Sequence, residues 1–274
     1  MNGQALIAVA PNGARKLKAD HAAVPLTAHE LGLCAAACAD AGAAMIHLHV
    51  RNQDGGHSLD ADLYRDAVSA VRREAGTGII IQCTSEAAGV YDRHAQMAAM
   101  RALLPEACSL AIREILPDAA SESEGAGFLA ELRKAEVSMQ FILYSAEDLL
   151  RFRDLVQRGV IPGERHFVLF VLGRYAKDQQ STPSDLLPFL QAWQPAWGAF
   201  AVCAFGKLEA ACALSAIGLG GHARVGFENN ILLADGSIAP DNAALVHQIA
   251  DHAAVMGAAA MTPDAARGWL RQFG

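Results

Sequence analysis

The 274-residue sequence predicts an α/β fold, a closed (β/α)8 barrel, and three observations carry that prediction. Short apolar runs alternate with segments of helical period eight times along the chain, the order that right-handed βαβ units impose. Several of those runs are apolar on both faces, which is how a parallel strand covered on each side reads. The length is that of one such barrel and no break in composition divides it, so residues 1–274 are expected to form a single domain. A doubly wound open sheet shares the local pattern and is the competing arrangement.

The strand candidates, in order, are Ala5–Ala10, Met45–Val50, Ile79–Cys83, Cys108–Ile112, Met139–Leu143, Phe167–Leu172, Ala199–Phe205 and Arg224–Phe227. Between the first two, Thr27 followed by Glu30 makes a capping box ahead of a helix over Leu31–Ala41. Asp60, Ser145 and Asp241 carry short acceptor side chains suited to the N-caps of later helices. Gly42, Gly76, Gly159 and Gly257 stand where helices end and a left-handed residue is wanted. The stretch from Pro11 to Pro25 is polar and longer than an ordinary βα loop. In a barrel it lies over the carboxyl ends of the strands, the face that carries active sites.

Composition narrows the class. Hydrophobic residues at 53% and charged residues at 19% exclude a disordered chain. With 22 basic and 29 acidic residues the formal charge is −7, so nothing draws the chain as a whole to nucleic acid or an anionic membrane. No apolar run approaches the roughly 20 residues of a spanning helix. Met1–Ala10 lacks the basic start and cleavage site of a signal peptide, and a cytoplasmic protein is expected. Cys34, Cys38, Cys83, Cys108, Cys203 and Cys212 include no C-x-x-C pair and sit in apolar stretches, as small buried thiols do.

The sharpest chemical signal is His47-Leu48-His49 near the end of the second strand candidate. Ile46, Leu48 and Val50 face the outer helices in that register, so both imidazoles point inward, roughly 6.6 Å apart along the strand. Such a pair suits a divalent ion; two hydrogen-bonded core histidines give the same pattern. A third ligand has to come from another strand end, and Glu228, in Gly226-Phe227-Glu228-Asn229-Asn230, offers a carboxylate. His2Glu with an open fourth position is the composition of a catalytic zinc site, although other divalent ions suit it. Glu228 alone could equally cap a helix or face solvent. Arg224, on a strand otherwise apolar or small, needs an anionic partner, for which a substrate carboxylate serves.

Further polar groups end the third and fourth runs: Thr84, Ser85 and Glu86, then Ser109, Arg113 and Glu114. Arg15, Lys16 and Lys18 form a basic cluster in the long first loop, either a solvated face or a seat for a phosphate or carboxylate. No dinucleotide fingerprint, phosphate loop or nucleophile elbow is present, and His222, His247 and His252 read as surface or core residues.

Taken in order, Pro11-Asn12-Gly13-Ala14-Arg15, His47-Leu48-His49-Val50-Arg51, Phe170-Val171-Leu172-Gly173 and Arg224-Val225-Gly226-Phe227-Glu228-Asn229-Asn230 resemble the β-keto acid cleavage enzyme family over residues 5 to about 268. The resemblance implies a TIM barrel, a zinc ion, usually a homotetramer, and a Claisen-type exchange in which a β-keto acid and acetyl-CoA give acetoacetate and a new acyl-CoA. It implies His47, His49 and Glu228 as metal ligands and Arg224 as a catalytic arginine. Thr84 falls at a substrate-binding position; Asn12, Arg15 and Ser109 join it as candidate substrate contacts. Asn229 stands where the family's 3-keto-5-aminohexanoate enzyme has a proton-transferring aspartate. An amide is no base, which leaves Glu86 and Glu114 as the candidates for that role. Arg15 stands where that enzyme binds an ammonium through an acidic residue, so a neutral or carboxylate-bearing β-keto acid is expected instead of the amino compound. A metal-dependent hydrolase or aldolase on the same barrel, and a non-catalytic barrel that keeps its metal to bind ligand, are the rival readings.

Overall fold

Residues 3–273 are described by a computed structural model. Eight parallel strands close into a barrel: β1 Ile7–Val9, β2 Met45–Leu48, β3 Ile80–Thr84, β4 Ala107–Ala111, β5 Ser138–Leu143, β6 His166–Leu172, β7 Gly198–Ala204 and β8 His222–Val225. Each pairs with its neighbour in chain order, and β8 closes on β1 with Ala223 opposite Ile7 and Val225 opposite Val9. The surrounding helices are α1 Ala28–Asp40, α2 Ala61–Glu74, α3 Arg93–Leu103, α4 Glu122–Lys134, α5 Ala146–Gln157, α6 Leu187–Ala192, α7 Glu209–Gly218 and α8 Asn242–Val255, with α9 Pro263–Leu270 last.

Strand alternation sorts the core into two layers. Ile46, Leu48, Val50 and Phe170 point outward and pack with Leu31, Tyr64, Phe128 and Phe152. Met45, Ile80, Phe167 and Leu169 point inward. The amino-terminal end of the barrel is plugged by α9, whose Trp269 ring lies 5.1 Å from Phe167 and 4.4 Å from His222.

The expected caps form. Thr27 and Glu30 make the capping box, which starts α1 at Ala28, three residues earlier than the apolar pattern indicates. Asp60, Ser145 and Asp241 accept from backbone N–H groups at the starts of α2, α5 and α8. The four helix-ending glycines all have positive φ, between 68° and 107°.

Five strands match their candidates to within one residue at each end, and three differ by more. The first splits: Gln4–Ala5 pairs with Ala259–Ala260, and Ile7–Val9 enters the barrel. The second stops before His49, where Val50–Arg51 leaves to pair antiparallel with His57–Ser58. The eighth spans His222–Val225 instead of Arg224–Phe227, because the N–H groups of Gly226 and Phe227 are taken by the side chains of Glu209 (3.0 Å) and Asn242 (2.8 Å). All six cysteines are free thiols; Cys34 is half-buried and the other five are buried. Among the described residues no helix is long and apolar enough to cross a membrane.

Candidate active site

His47 lies near the end of β2 and His49 just beyond it, on the same face. Their Nε2 atoms are 3.2 Å apart. Glu228, in the turn after β8, brings Oε2 to 3.7 Å from His47 Nε2 and 3.8 Å from His49 Nε2. Burial, then the Arg224 cation, holds His47 well below the ordinary imidazole range; burial, then His57, does the same for His49. Both rings are therefore neutral, with lone pairs to give.

The tautomer of His47 follows from its other nitrogen. Nδ1 meets Gln82 Oε1 at 2.7 Å, and an amide oxygen only accepts, so the proton sits on Nδ1 and the lone pair on Nε2. Gln82 Nε2 in turn donates to Gln140 Oε1 at 3.2 Å. Glu228 Oε2 is buried among these nitrogens with no hydrogen-bond partner. A carboxylate oxygen buried without a donor is costly unless a cation satisfies it. The three converging atoms thus fit a divalent ion.

Local packing holds Glu228 in place. Its N–H donates to Ala10 O at 3.1 Å. Gly13 passes so close that a Cβ there would lie 2.6 Å from Glu228 Cγ, and its φ of +60° also calls for glycine. Asn12 ties the first loop to the histidines, donating to Pro25 O (2.9 Å) and His49 O (3.0 Å). The buried Arg51 donates to Gly13 O, Lys16 O and Gly55 O.

The remaining candidates surround this cluster. Arg224 is buried, with Nη2 3.5 Å from Glu228 Oε1 and its Nε and Nη1 unpartnered. Glu86 places Oε2 3.6 Å from His49 Nε2 and Oε1 3.8 Å from Arg174. Burial, then the Glu228 charge, pushes its carboxyl up to about 7. Glu114 accepts from the Ala87 N–H at 3.1 Å and so braces the loop after β3. Ser109 Oγ donates to Thr84 Oγ1 at 3.2 Å. Asn229 is buried with both side-chain polar atoms unpartnered. Arg15, beside a cavity of about 160 Å³, shares its wall with Asn12, Lys16, Glu86, Arg174 and Glu228.

Three neighbours escaped the sequence reading. Gln82 had a signal, as an amide within the apolar run Ile79–Cys83. His57, whose Nε2 meets Glu86 O at 2.7 Å, sits on a two-residue strand outside the barrel, and Arg174 lies in a loop, so no periodicity points either of them inward.

Residues 4–271 match the model of one family, described as beta-keto acid cleavage enzyme. The chain belongs to this family. The 3-keto-5-aminohexanoate cleavage enzyme of Fusobacterium nucleatum subsp. nucleatum is 30% identical over 271 residues, 96% of each chain. The 3-oxoadipate:acetyl-CoA acetyltransferase of Cupriavidus necator is 30% identical over 269 residues, covering 91% of this chain and 88% of that one. Among solved structures, apo ObcA aligns with a TM-score of 0.70 at 15% identity over 89% of this chain. The chain spans 64% of ObcA's length, and the likeness is one of fold. As a family member, this chain is an enzyme of the β-keto acid cleavage class.

Proposed function

We propose that this chain exchanges the acyl group of a β-keto acid with acetyl-CoA, giving acetoacetate and a new acyl-CoA, and that it needs a divalent metal, zinc by preference, to do so. The observation that carries the reading is the meeting of His47 Nε2, His49 Nε2 and Glu228 Oε2, with that oxygen buried and otherwise unpaired. An ion held there supplies Lewis acidity toward a keto oxygen.

The chain's own groups do the rest. The α-carbon of the β-keto acid trades its original acyl group for acetyl, and the original acyl group ends on the CoA sulfur, so atoms balance. Arg224, with two unpartnered nitrogens beside Glu228, complements the negative charge that builds up as the carbon–carbon bond is exchanged. Glu86 takes the α-proton and returns it. It faces His49 and the cavity, whereas Glu114 is engaged with the loop backbone. Thr84, Ser109, Asn229 and Asn12 orient the bound acid. Arg15 on the cavity wall disfavours an ammonium-bearing tail, which supports a neutral or carboxylate-bearing acid over the amino compound named for the Fusobacterium relative. The same reading has residues 1–274 acting as one catalytic domain in a cytoplasmic homotetramer.

Metal analysis on His47→Ala and Glu228→Ala tests the site: both variants are expected to lose bound metal and activity together, and full metal content in both removes the assignment. Product analysis tests the reaction. Acetoacetate should form only when acetyl-CoA is present; turnover without any CoA ester points to a hydrolase or aldolase. Fastest turnover of the 5-amino compound refutes the substrate reading.

A further inference from the structure

Most partly buried arginines here have their donors engaged: Arg72, Arg93 and Arg113 each reach a carboxylate at 2.5–2.7 Å. Two at the site differ. Arg224 leaves Nε and Nη1 unpartnered beside Glu228. Arg174, after β6, has a side chain only 14% exposed, yet its nearest acid, Glu86, is 3.8 Å away and outside hydrogen-bond reach. The Arg174 fork is held in position by aromatic rings, 5.4 Å above Phe205 and 5.9 Å from Tyr175. Gly173 fixes how the chain enters that seat: its φ is +78°, and a Cβ would lie 2.9 Å from Gln180 O.

Resting on the reading above, we propose that Arg174, with Arg15, binds a second carboxylate, and that the substrate is a short 3-oxo dicarboxylic acid. One cavity of about 160 Å³ has Glu228 on its wall, with Arg174, Arg15 and Lys16 on the same lining. The 3-oxo acid head belongs beside Glu228 and Arg224; its tail runs toward the other cations. An ammonium tail meets like charge there. An apolar tail strips water from a guanidinium and gives it no acceptor, which is unfavourable. A carboxylate tail supplies the planar acceptor that a pre-oriented fork fits. The single Glu86 carboxylate lies 3.6 Å from His49 and 3.8 Å from Arg174, so the gap between the two ends is short and suits a short diacid.

The test compares a six-carbon 3-oxo diacid with the six-carbon 3-oxo monoacid, each with acetyl-CoA, in wild type, Arg174→Gln and Arg174→Lys. Because Arg174 also faces Glu86, the readout is the ratio of kcat/KM on the two acids and not either rate alone. Wild type should favour the diacid, and Arg174→Gln should cut that ratio by roughly 10- to 100-fold, chiefly through KM. Arg174→Lys should restore part of it. An unchanged ratio overturns the proposal. So does an effect that falls on KM for acetyl-CoA, which makes Arg174 a phosphate contact of the coenzyme. Calorimetric binding of the two acids to zinc-loaded protein, without acetyl-CoA, separates this from the reaction assignment. If neither acid is turned over but the diacid binds more tightly through Arg174, the reaction reading fails and the carboxylate site stands; equal binding of both acids removes the site.

Discussion

Gln82 decides which nitrogen of His47 carries the proton, and that choice decides whether the ring can be a ligand. Turned one way, the amide accepts from Nδ1–H and leaves the Nε2 lone pair toward His49 and Glu228. Turned the other way it would donate to Nδ1 and force the proton onto Nε2, closing the site. The bond from Gln82 Nε2 to Gln140 Oε1 holds the first orientation. Partners of this kind typically alter metal affinity by about 10- to 100-fold. If the site holds a divalent metal as proposed, Gln82→Met, of similar size but with no acceptor of comparable strength, is expected to weaken its binding by roughly that factor. Gln82→Glu, which can only accept when ionised, is expected to keep it. Competition against a chelator measures both, and equal affinity in all three proteins would sink the argument.

At the scale of elements, the caps and glycines could be read from the sequence because each depends on the residue types next to it. α1 shows how firmly. Burial works against the Glu30 charge, but the Lys18 ammonium and the N–H groups of Leu26 and Thr27 outweigh it, holding the carboxyl at about 2. The folded value is below the unfolded one of about 4.5, so this stabilisation is complete above that pH and is lost as pH falls toward 2. Glu30 is about a third exposed and its pair with Lys18 is screened, so the contribution is modest. Glu30→Gln keeps the cap's hydrogen-bonding group and removes the charge. It should lower the urea midpoint at pH 7, with the gap narrowing below pH 4.5; a gap independent of pH would show the charge contributes nothing. Strand ends were less legible. β8 stops at Val225 because two side chains from α7 and α8, Glu209 and Asn242, capture the next N–H groups, a contact 15 to 17 residues away that no local pattern announces.

The whole barrel separates chemistry from stability along its axis, and the sequence disclosed the two ends unequally. The carboxyl end, where the proposed site lies, was legible where strand alternation fixes a face, as at His47 and His49, and obscure where loops aim the side chain, as at Arg174. The opposite end carries two histidines that alternation alone leaves as ordinary core residues. His222 accepts from the Leu6 N–H at 3.0 Å under Trp269, and His166 meets Pro162 O at 3.0 Å. Burial pushes each imidazole down to about 4. An unfolded histidine titrates near 6.5, so as pH falls from about 7 the unfolded chain takes up protons that the folded barrel refuses. Stability should therefore decline between about pH 6.5 and 4 and then lose this particular slope, since below 4 both states are protonated. Loss of the proposed metal at His47 and His49 would act in the same window, so the comparison belongs on chelated protein. There, urea midpoints at pH 7, 5.5 and 4 should fall less steeply for a His166→Asn/His222→Asn double variant than for the parent. Parallel declines in the two proteins would place the acid sensitivity elsewhere in the molecule.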